Sequence, residues 1–522
     1  MSAGSFCPAG SYSTLREMRF PKNWTDLERP MYELSKSRIL TSRQCPRRLW
    51  LEVFRPELMP QEPSASMAEG AQSGEVARDL FPDGALIDAE DLSQALTETA
   101  ARLIEPPRPL FEATFQADGV LVRADLLLPE ESGWRVVEVK SSTSVKDHHY
   151  LDTAVQAWVL QQTGLPVLRW EVAHIDLDFV YTGAGDYQGL FHHVDVTEAV
   201  RDLEPQVPAW IAEARATLQG DDPQTAPGEQ CRDPFECPFM AFCTPPPGSD
   251  VFPPEILPHG GTVARALRAE GYEDLRDVPP GRLIHPRHIR VWQTTRDNVP
   301  FLDPEAGRQI ATLGWPRYFL DFETIQFAVP IWAGTRPYQQ IPFQWSCHVE
   351  DSDGALTHHA FLAEDATDPR RAFVETLLTT LGTAGPILVY NVAFERGRMA
   401  ELAEAFPEHT PVLNAVMERL FDLLPVAREH YYHRDMRGSW SIKAVLPTIA
   451  PDLAYDDLEV SSGGMAQATF AEFIQHDTET ERRNQLRKAL LIYCERDTWA
   501  MVRIARFFQG SLEYPLPVPS TG

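Results

Sequence analysis

The sequence predicts an α/β protein with two α/β domains joined by a small helical connector. Three observations carry this expectation. Strand-like and helix-like runs alternate in two separate stretches, one before residue 220 and one after residue 316, and such alternation is the signature of layered α/β folds. Between them the tract 221–260, with DDPQTAP, TPPPGSD and FPPEILPHGG, is rich in residues that break helices and strands. Finally, the 522 residues exceed what one core organises and, at roughly 100 to 200 residues per domain, allow about three units. The expected boundaries are 31–248, 249–310 and 311–512.

In the first domain LFEATF, VLVRADLLL and WRVVEVK, between 110 and 140, read as three strands separated by the turn residues ADG and EESG. This is a meander. HHYLDTAVQAWVLQQ (148–162) has helical spacing, and LRWEVAHIDLDFVY and LFHHVDV read as two more strands. GTVARALRAEGYEDLRDV (261–278) reads as helix, turn and helix. It lacks the Gly-rich hairpin that presents amides to phosphate, so a packed connector is expected. The second domain opens with the strand PRYFLDFET (316–324), continues with IPFQWSCHVE, a helix at 369–382 and the buried strand PILVY (386–390), and closes with a helix over about 484–508.

Composition excludes several classes. With 43% hydrophobic and 23% charged residues the chain sits near globular averages, and no run approaches the ~18 apolar residues of a membrane span. Seven cysteines are too few and too odd a number for a secreted disulfide framework, and the N-terminus lacks a signal-peptide pattern. A cytoplasmic, reducing setting is expected. The formal charge of −28 argues against broad coating of a phosphate backbone.

The first group of candidate residues is Asp125 in RADLLL with Glu138 and Lys140 in VVEVKSS. The strand period of two puts Glu138 and Lys140 on one face, and one hairpin brings Asp125 beside them. Two carboxylates and the Val139 carbonyl suit Mg²⁺ or Mn²⁺, and an adjacent lysine can orient a water or stabilise an oxyanion. An isolated D…ExK is the solvated face of a strand. In this context the chain resembles the PD-(D/E)XK (restriction-endonuclease-like) superfamily, in particular RecB-like nucleases such as the CRISPR-associated single-strand exonucleases. The resemblance implies that Tyr150 and Gln156, on the following helix, approach the substrate, and that Glu112 or Glu75 completes the metal site.

Cys45 precedes this core, and Cys231, Cys237 and Cys243 follow it in CRDPFECPFMAFC. The RecB-like branch often closes its domain with a 4Fe-4S cluster on one early and three late cysteines, which implies these four as its ligands. The family's late spacing is C-x2-C-x5-C, whereas here it is C-x5-C-x5-C, and four thiolates equally suit structural Zn²⁺. Cys7, Cys347 and Cys494 read as ordinary cysteines.

The second group lies in the C-terminal domain. FLDFET places Asp321 and Glu323 on one strand face, PILVYNVAFERGRM places Asn391 and Glu395 past the next strand, and YCERD puts Tyr493 and Asp497 at i and i+4 of a helix. In this order they resemble the DEDD exonucleases of the RNase H-like three-layer fold, over roughly residues 316–510. The resemblance implies two metals held by Asp321, Glu323, Glu395 and Asp497, with Tyr493 positioning the attacking water. The family has Asp where this chain has Glu395, which must reach one methylene further; Asp422 in RLFDLL is a further candidate ligand. SWSIKAVLP resembles the stretch of this class that approaches substrate, making Lys443 a phosphate contact and Asn391 a second one.

These features together lead to a metal-dependent nuclease on DNA, exonucleolytic on single strands or ends, with RNA the other polymer the chemistry admits. The alternative is a nucleic-acid-binding regulatory or scaffold protein with one or both sites inactive. Basic residues cluster beside both groups: Lys36, Arg38, Arg43, Arg47 and Arg48 around Cys45, and Arg428, Arg434, Arg437 and Lys443 interleaved with Tyr431, Tyr432 and His433. Cations among aromatics suit single strands, so narrow basic channels in an acidic body are expected, with Arg47 and Arg48 as DNA contacts.

Overall fold

A computed structural model describes residues 34–59, 65–244, 248, 250–453, 455 and 457–510, with the side chains of 65–68 left out; Cys7 lies outside these residues. The chain is a mixed α/β protein with two large sheets. It divides into two compact units, one of residues 1–246 with 327–338, the other of residues 247–326 with 339–522. Among the described residues no helix is long and apolar enough to cross a membrane.

In the first unit the expected meander forms: Leu110–Ala117, Val120–Glu130 and Gly133–Lys140 pair antiparallel. The helix Asp147–Thr163, stopped by Gly164 in the left-handed region (φ 77°), then crosses over so that Val167–Ile175 pairs parallel with Gly133–Lys140. Phe191–Asp195 adds the outer antiparallel strand. The strand expected to run through IDLDFVY stops at Ile175, because Asp176 Oδ1 accepts from the Asp178 amide at 2.9 Å and turns the chain. Leu34–Ser35 joins parallel to Val120–Leu121, a long-range pairing that lodges the start of the helix Lys36–Gln44 against the sheet. Leu110, Val122, Val136, Val155 and Val172 are fully or almost fully buried between sheet and helices.

The second unit's sheet runs Leu356–Leu362, Ile341–Glu350, Arg317–Ile325, Ile387–Val389, Leu420–Asp422, antiparallel on the first side and parallel on the other. The two strands not expected from sequence, Leu356–Leu362 and Leu420–Asp422, are an exposed edge and a three-residue strand, both too weakly patterned to show a period. Central Arg317–Ile325 is buried on both faces except at Asp321, as a strand covered from two sides must be. Phe319 and Leu388 pack with Met501, Val502 and Ile504 of the helix Thr480–Phe508 on one face. Leu320, Phe322 and Cys347 pack with Phe373 and Met399, from the helices Arg370–Leu381 and Val392–Ala405, on the other.

Of the expected pair at 261–278 only Gly261–Ala269 is α-helical; Leu275–Asp277 is a single 3-10 turn. Leu267, Leu275 and Trp292 share the core of Phe319 and Leu388, so this stretch packs into the second unit. Gly438 (φ 81°) lets the neighbouring loop pass, since a Cβ there would meet Ile256 O at 1.7 Å.

Candidate functional site

In the first unit, the pairing of Leu126 with Val137 sets Asp125 beside Glu138, and Asp125 Oδ2 accepts from the Val139 amide at 2.7 Å. Glu138 is 2% exposed. Its Oε1 takes Lys140 Nζ at 2.6 Å and Lys36 Nζ at 2.8 Å, and Gln156 donates to its Oε2. The same two ammonium groups reach Asp152, Lys140 at 2.6 Å and Lys36 at 3.1 Å. Asp152 and Gln156 stand four residues apart on one helix face. Two buried carboxylates thus face two ammonium ions, each neutralising the other.

Burial draws the Glu138 carboxyl upward, but Lys140 and Lys36 outweigh it and hold it well below the usual range. Asp125 lacks such a partner, and burial, with repulsion from Glu138, pushes it up to about 7. Glu112 takes a positive φ of 55° within its strand. It pairs with Arg78 at 3.4 Å and is raised by burial, with Glu138 and Lys36 close enough to act on it. Glu75 is exposed on the helix Ala65–Asp79, and Tyr150, half-buried, packs against the hydrophobic core.

Lys36 and Asp152 join the site beyond the residues expected from sequence. Asp152 had a readable signal, four residues before Gln156 on a helix. Lys36 had none, since only the pairing of Leu34–Ser35 with Val120–Leu121 brings it in.

The four cysteines converge. Cys45 sits between the helices Lys36–Gln44 and Pro46–Phe54, and it lines one narrow pocket with Cys231, Cys237, Cys243, Arg47, Arg48, Leu51 and Phe239. Gln44 ties the early helix to the late loop, donating to Gln230 O at 2.8 Å and Phe235 O at 2.7 Å. All four thiols are free, and burial raises those of Cys237 and Cys243. Among the described residues the four sulfurs are not among the ligand groups that close to within 4.8 Å of one another. The basic cluster around Cys45 is mostly paired, contrary to expectation: Arg47 binds Asp222 at 2.9 Å, Arg48 binds Glu52 at 2.8 Å and Arg43 binds Glu213 at 3.3 Å. Asp222 and Glu213 are distant in sequence, whereas Glu52 stands one helical turn after Arg48.

In the second unit, Asp321, Glu323 and Asp497 offer ligand atoms that all lie within 4.8 Å of one another. Asp321 and Glu323 come from one face of the central strand and Asp497 from the helix packed over it. Glu395, on the first turn of Val392–Ala405, is 2% exposed, and among the described residues its Oε2 has no hydrogen-bond partner. It lies near enough to act on both Asp321 and Glu323. Burial raises all four, Asp321 well above its usual value, Glu323 and Glu395 to about 8 and Asp497 to about 6, and repulsion from the neighbouring carboxylates adds to the rise at Asp321 and Glu323.

Three polar groups complete this centre. Tyr455 donates to Asp497 Oδ1. Lys443 Nζ donates to Tyr493 Oη at 3.0 Å and to Ser461 O at 2.6 Å. Cys494, read from sequence as ordinary, lies with its Sγ 3.7 Å from Asp321 Oδ2.

Asp422 is not brought into the carboxylate group. Its oxygens accept from the amides of Asn391 (3.0 Å), Val392 (3.1 Å) and Leu424 (2.9 Å), so it starts two helices, one of which carries Glu395. Tyr431 and Tyr432 are fully buried and unavailable for stacking on bases, and Arg434 and Arg437 lie over Phe252. Arg428 instead faces a cavity of about 600 Å³ that Arg287, Asn391, Trp440 and Ser441 also line. Among the described residues no acidic one lines it, and neither guanidinium is paired with a carboxylate. Asn391 is one helical turn before Glu395, and Ser441 is two residues before Lys443.

A family model described as a domain of unknown function (DUF2779) matches residues 318–441. That span holds Asp321, Glu323, Glu395 and Asp422 and stops short of Tyr493 and Asp497. The chain is also similar to the uncharacterized protein MG366 homolog of Mycoplasma pneumoniae, 28% identical over 37% of this chain and 32% of the relative. Uncharacterized protein MG366 of Mycoplasma genitalium is 24% identical over 38% of this chain and 32% of its own length. Uncharacterized protein UU173 of Ureaplasma parvum is 26% identical over 39% of this chain and 32% of its own length. The chain spans about a third of the length of these curated relatives.

Proposed function

We propose that this chain is a metal-dependent nuclease whose working centre is the carboxylate group of the second unit. One observation carries the reading: Asp321, Glu323 and Asp497 converge beside buried Glu395, one oxygen of which has no hydrogen-bond partner among the described residues. Three buried acids and the half-buried Asp321, with Lys443 as the nearby cation, are costly unless cations offset them. An all-oxygen donor set of this charge suits Mg²⁺ or Mn²⁺, which when bound supplies an activated water and a stabilised leaving oxygen for phosphodiester hydrolysis. Tyr493, fixed by Lys443, is placed to orient a water beside Asp321. The cavity lined by Arg428, Arg287 and Asn391 suits the backbone of a single strand approaching that centre.

On this reading the second unit is RNase H-like of the DEDD type and the first is PD-(D/E)XK-like. The sheet order around Arg317–Ile325, and the hairpin with its crossover helix around Glu138, support the two assignments. Four free thiols lining one pocket support a cluster ligand set. Four Cys thiolates suit either a 4Fe-4S cluster or a structural Zn²⁺.

A second reading applies to the first centre alone, where Lys36 and Lys140 already neutralise Glu138 and Asp152. There the unit acts as a nucleic-acid-binding module without its own hydrolysis. End-labelled single-stranded and duplex DNA and RNA, with Mg²⁺ or Mn²⁺, test both readings. Asp321→Asn is expected to abolish cleavage while Asp125→Asn separates the two roles of the first unit. Intact substrate in both metals with wild-type protein would end the enzyme reading.

A further inference from the structure

A second set of metal donors lies in the second unit, on three elements that meet beside the carboxylate group. The antiparallel pairing of Ile341–Glu350 with Leu356–Leu362 sets His348 directly opposite His358, with ring centroids 4.6 Å apart. The helix Thr480–Phe508 adds Glu495, whose Oε1 is 3.8 Å from His358 Nδ1. One ligand atom from each of the three lies within 4.8 Å of the other two.

The opposite nitrogens are already held. His348 Nδ1 lies 2.8 Å from Thr498 Oγ1, His358 Nε2 lies 2.9 Å from Ser346 Oγ, and the two hydroxyls are 2.8 Å apart. A hydroxyl chain therefore orients both rings, as the outer partners of metal-binding histidines do, while His358 Nδ1 faces Glu495. His348 is buried, while His358 and Glu495 are exposed, so the group opens to solvent on one side.

We propose that His348, His358 and Glu495 bind a first-row transition-metal dication of the Zn²⁺ class, apart from the all-oxygen centre at Asp321. Two imidazoles and one carboxylate select such ions over Mg²⁺ and leave a coordination position open. The ion clamps the edge strand Leu356–Leu362 and the strand Ile341–Glu350 to the helix that carries Tyr493 and Asp497. This inference does not depend on hydrolysis: it goes beyond the nuclease reading and survives or fails separately from it.

The test uses the full chain, stripped with chelator, dialysed against Zn²⁺ and assayed for bound zinc and for thermal stability. His358→Gln and Glu495→Gln change exposed side chains, so both variants are expected to fold. Each should retain one equivalent of zinc fewer than wild type and lose the zinc-induced rise in Tm. Asp321→Asn should keep both the equivalent and the rise, and any metal held by the four cysteines should not change in any of the three. Equal zinc content and equal Tm rise in wild type and His358→Gln would overturn the proposal. So would loss of the ion in Asp321→Asn, which would assign it to the carboxylate centre.

Discussion

Lys36 Nζ stands 2.8 Å from Glu138 Oε1 although 102 residues separate them. With Lys140 it forms the positive half of a buried four-charge group whose negative half is Glu138 and Asp152. Truncating Lys36→Ala should destabilise the first unit by about 2 to 3 kcal/mol, less than the ~3–5 kcal/mol of a fully orphaned buried charge because Lys140 and Gln156 still hold Glu138. Glu138 is held below its usual range. Its contribution is therefore complete above the unfolded carboxyl value of ~4.3 and lost as pH falls toward the folded value. Denaturant melts should show the Lys36→Ala deficit at pH 7 and a smaller one at pH 3.

Glu395→Gln removes a charge from the centre at Asp321 while keeping the side chain's length. Cleavage should fall by more than the ~10- to 100-fold typical of losing an outer partner of a metal site. Glu395→Asp should recover part of that loss if the added methylene is a matter of reach. Single-turnover rates at saturating Mn²⁺ separate the two variants.

The carboxylates of the second unit have folded values above their unfolded ones, Asp497 at about 6 and Glu323 and Glu395 at about 8. For groups raised in this way, stability is fully present below ~4 and lost as pH rises through 6 to 8. The chelator-treated protein should therefore lose Tm between pH 5 and pH 8.5. Mn²⁺ should restore more at pH 8 than at pH 5, since binding competes with those protons. Glu395→Gln should lose less Tm over the same range.

Arg287 and Arg428 line a cavity free of acidic residues in a chain of net charge −28. Replacing each by Ala should weaken binding of a single-stranded oligonucleotide and lower the slope of log K against log salt by about 0.7 per arginine. Arg47→Ala, which breaks a pair with Asp222, should leave that slope unchanged. Fluorescence anisotropy from 50 to 300 mM salt reads both outcomes.

Cys45→Ser breaks the link between the start and end of the first unit's cysteine pocket. If the four thiols hold a cluster, iron and acid-labile sulfide per chain should drop together in this variant and in Cys237→Ser, while Cys347→Ser leaves them unchanged. The analysis needs protein purified without oxygen.

Local signals made much of this protein legible. Period-two alternation placed Glu138 with Lys140 and Asp321 with Glu323, and helical spacing placed Gln156 and the pair Tyr493 and Asp497, because such faces depend only on φ and ψ. What tertiary structure decided was which charges meet. Lys36 reaches Glu138 through a two-residue strand, Asp222 neutralises Arg47, and Asp422 caps helices rather than joining Glu395. Tyr431 and Tyr432 turn inward to the core, whereas Arg428 keeps an open face. A sequence lists a side chain's charge, but whether that charge is solvated, paired or left facing another of its own sign depends on neighbours from distant segments. Those neighbours are set only when the sheets and helices pack.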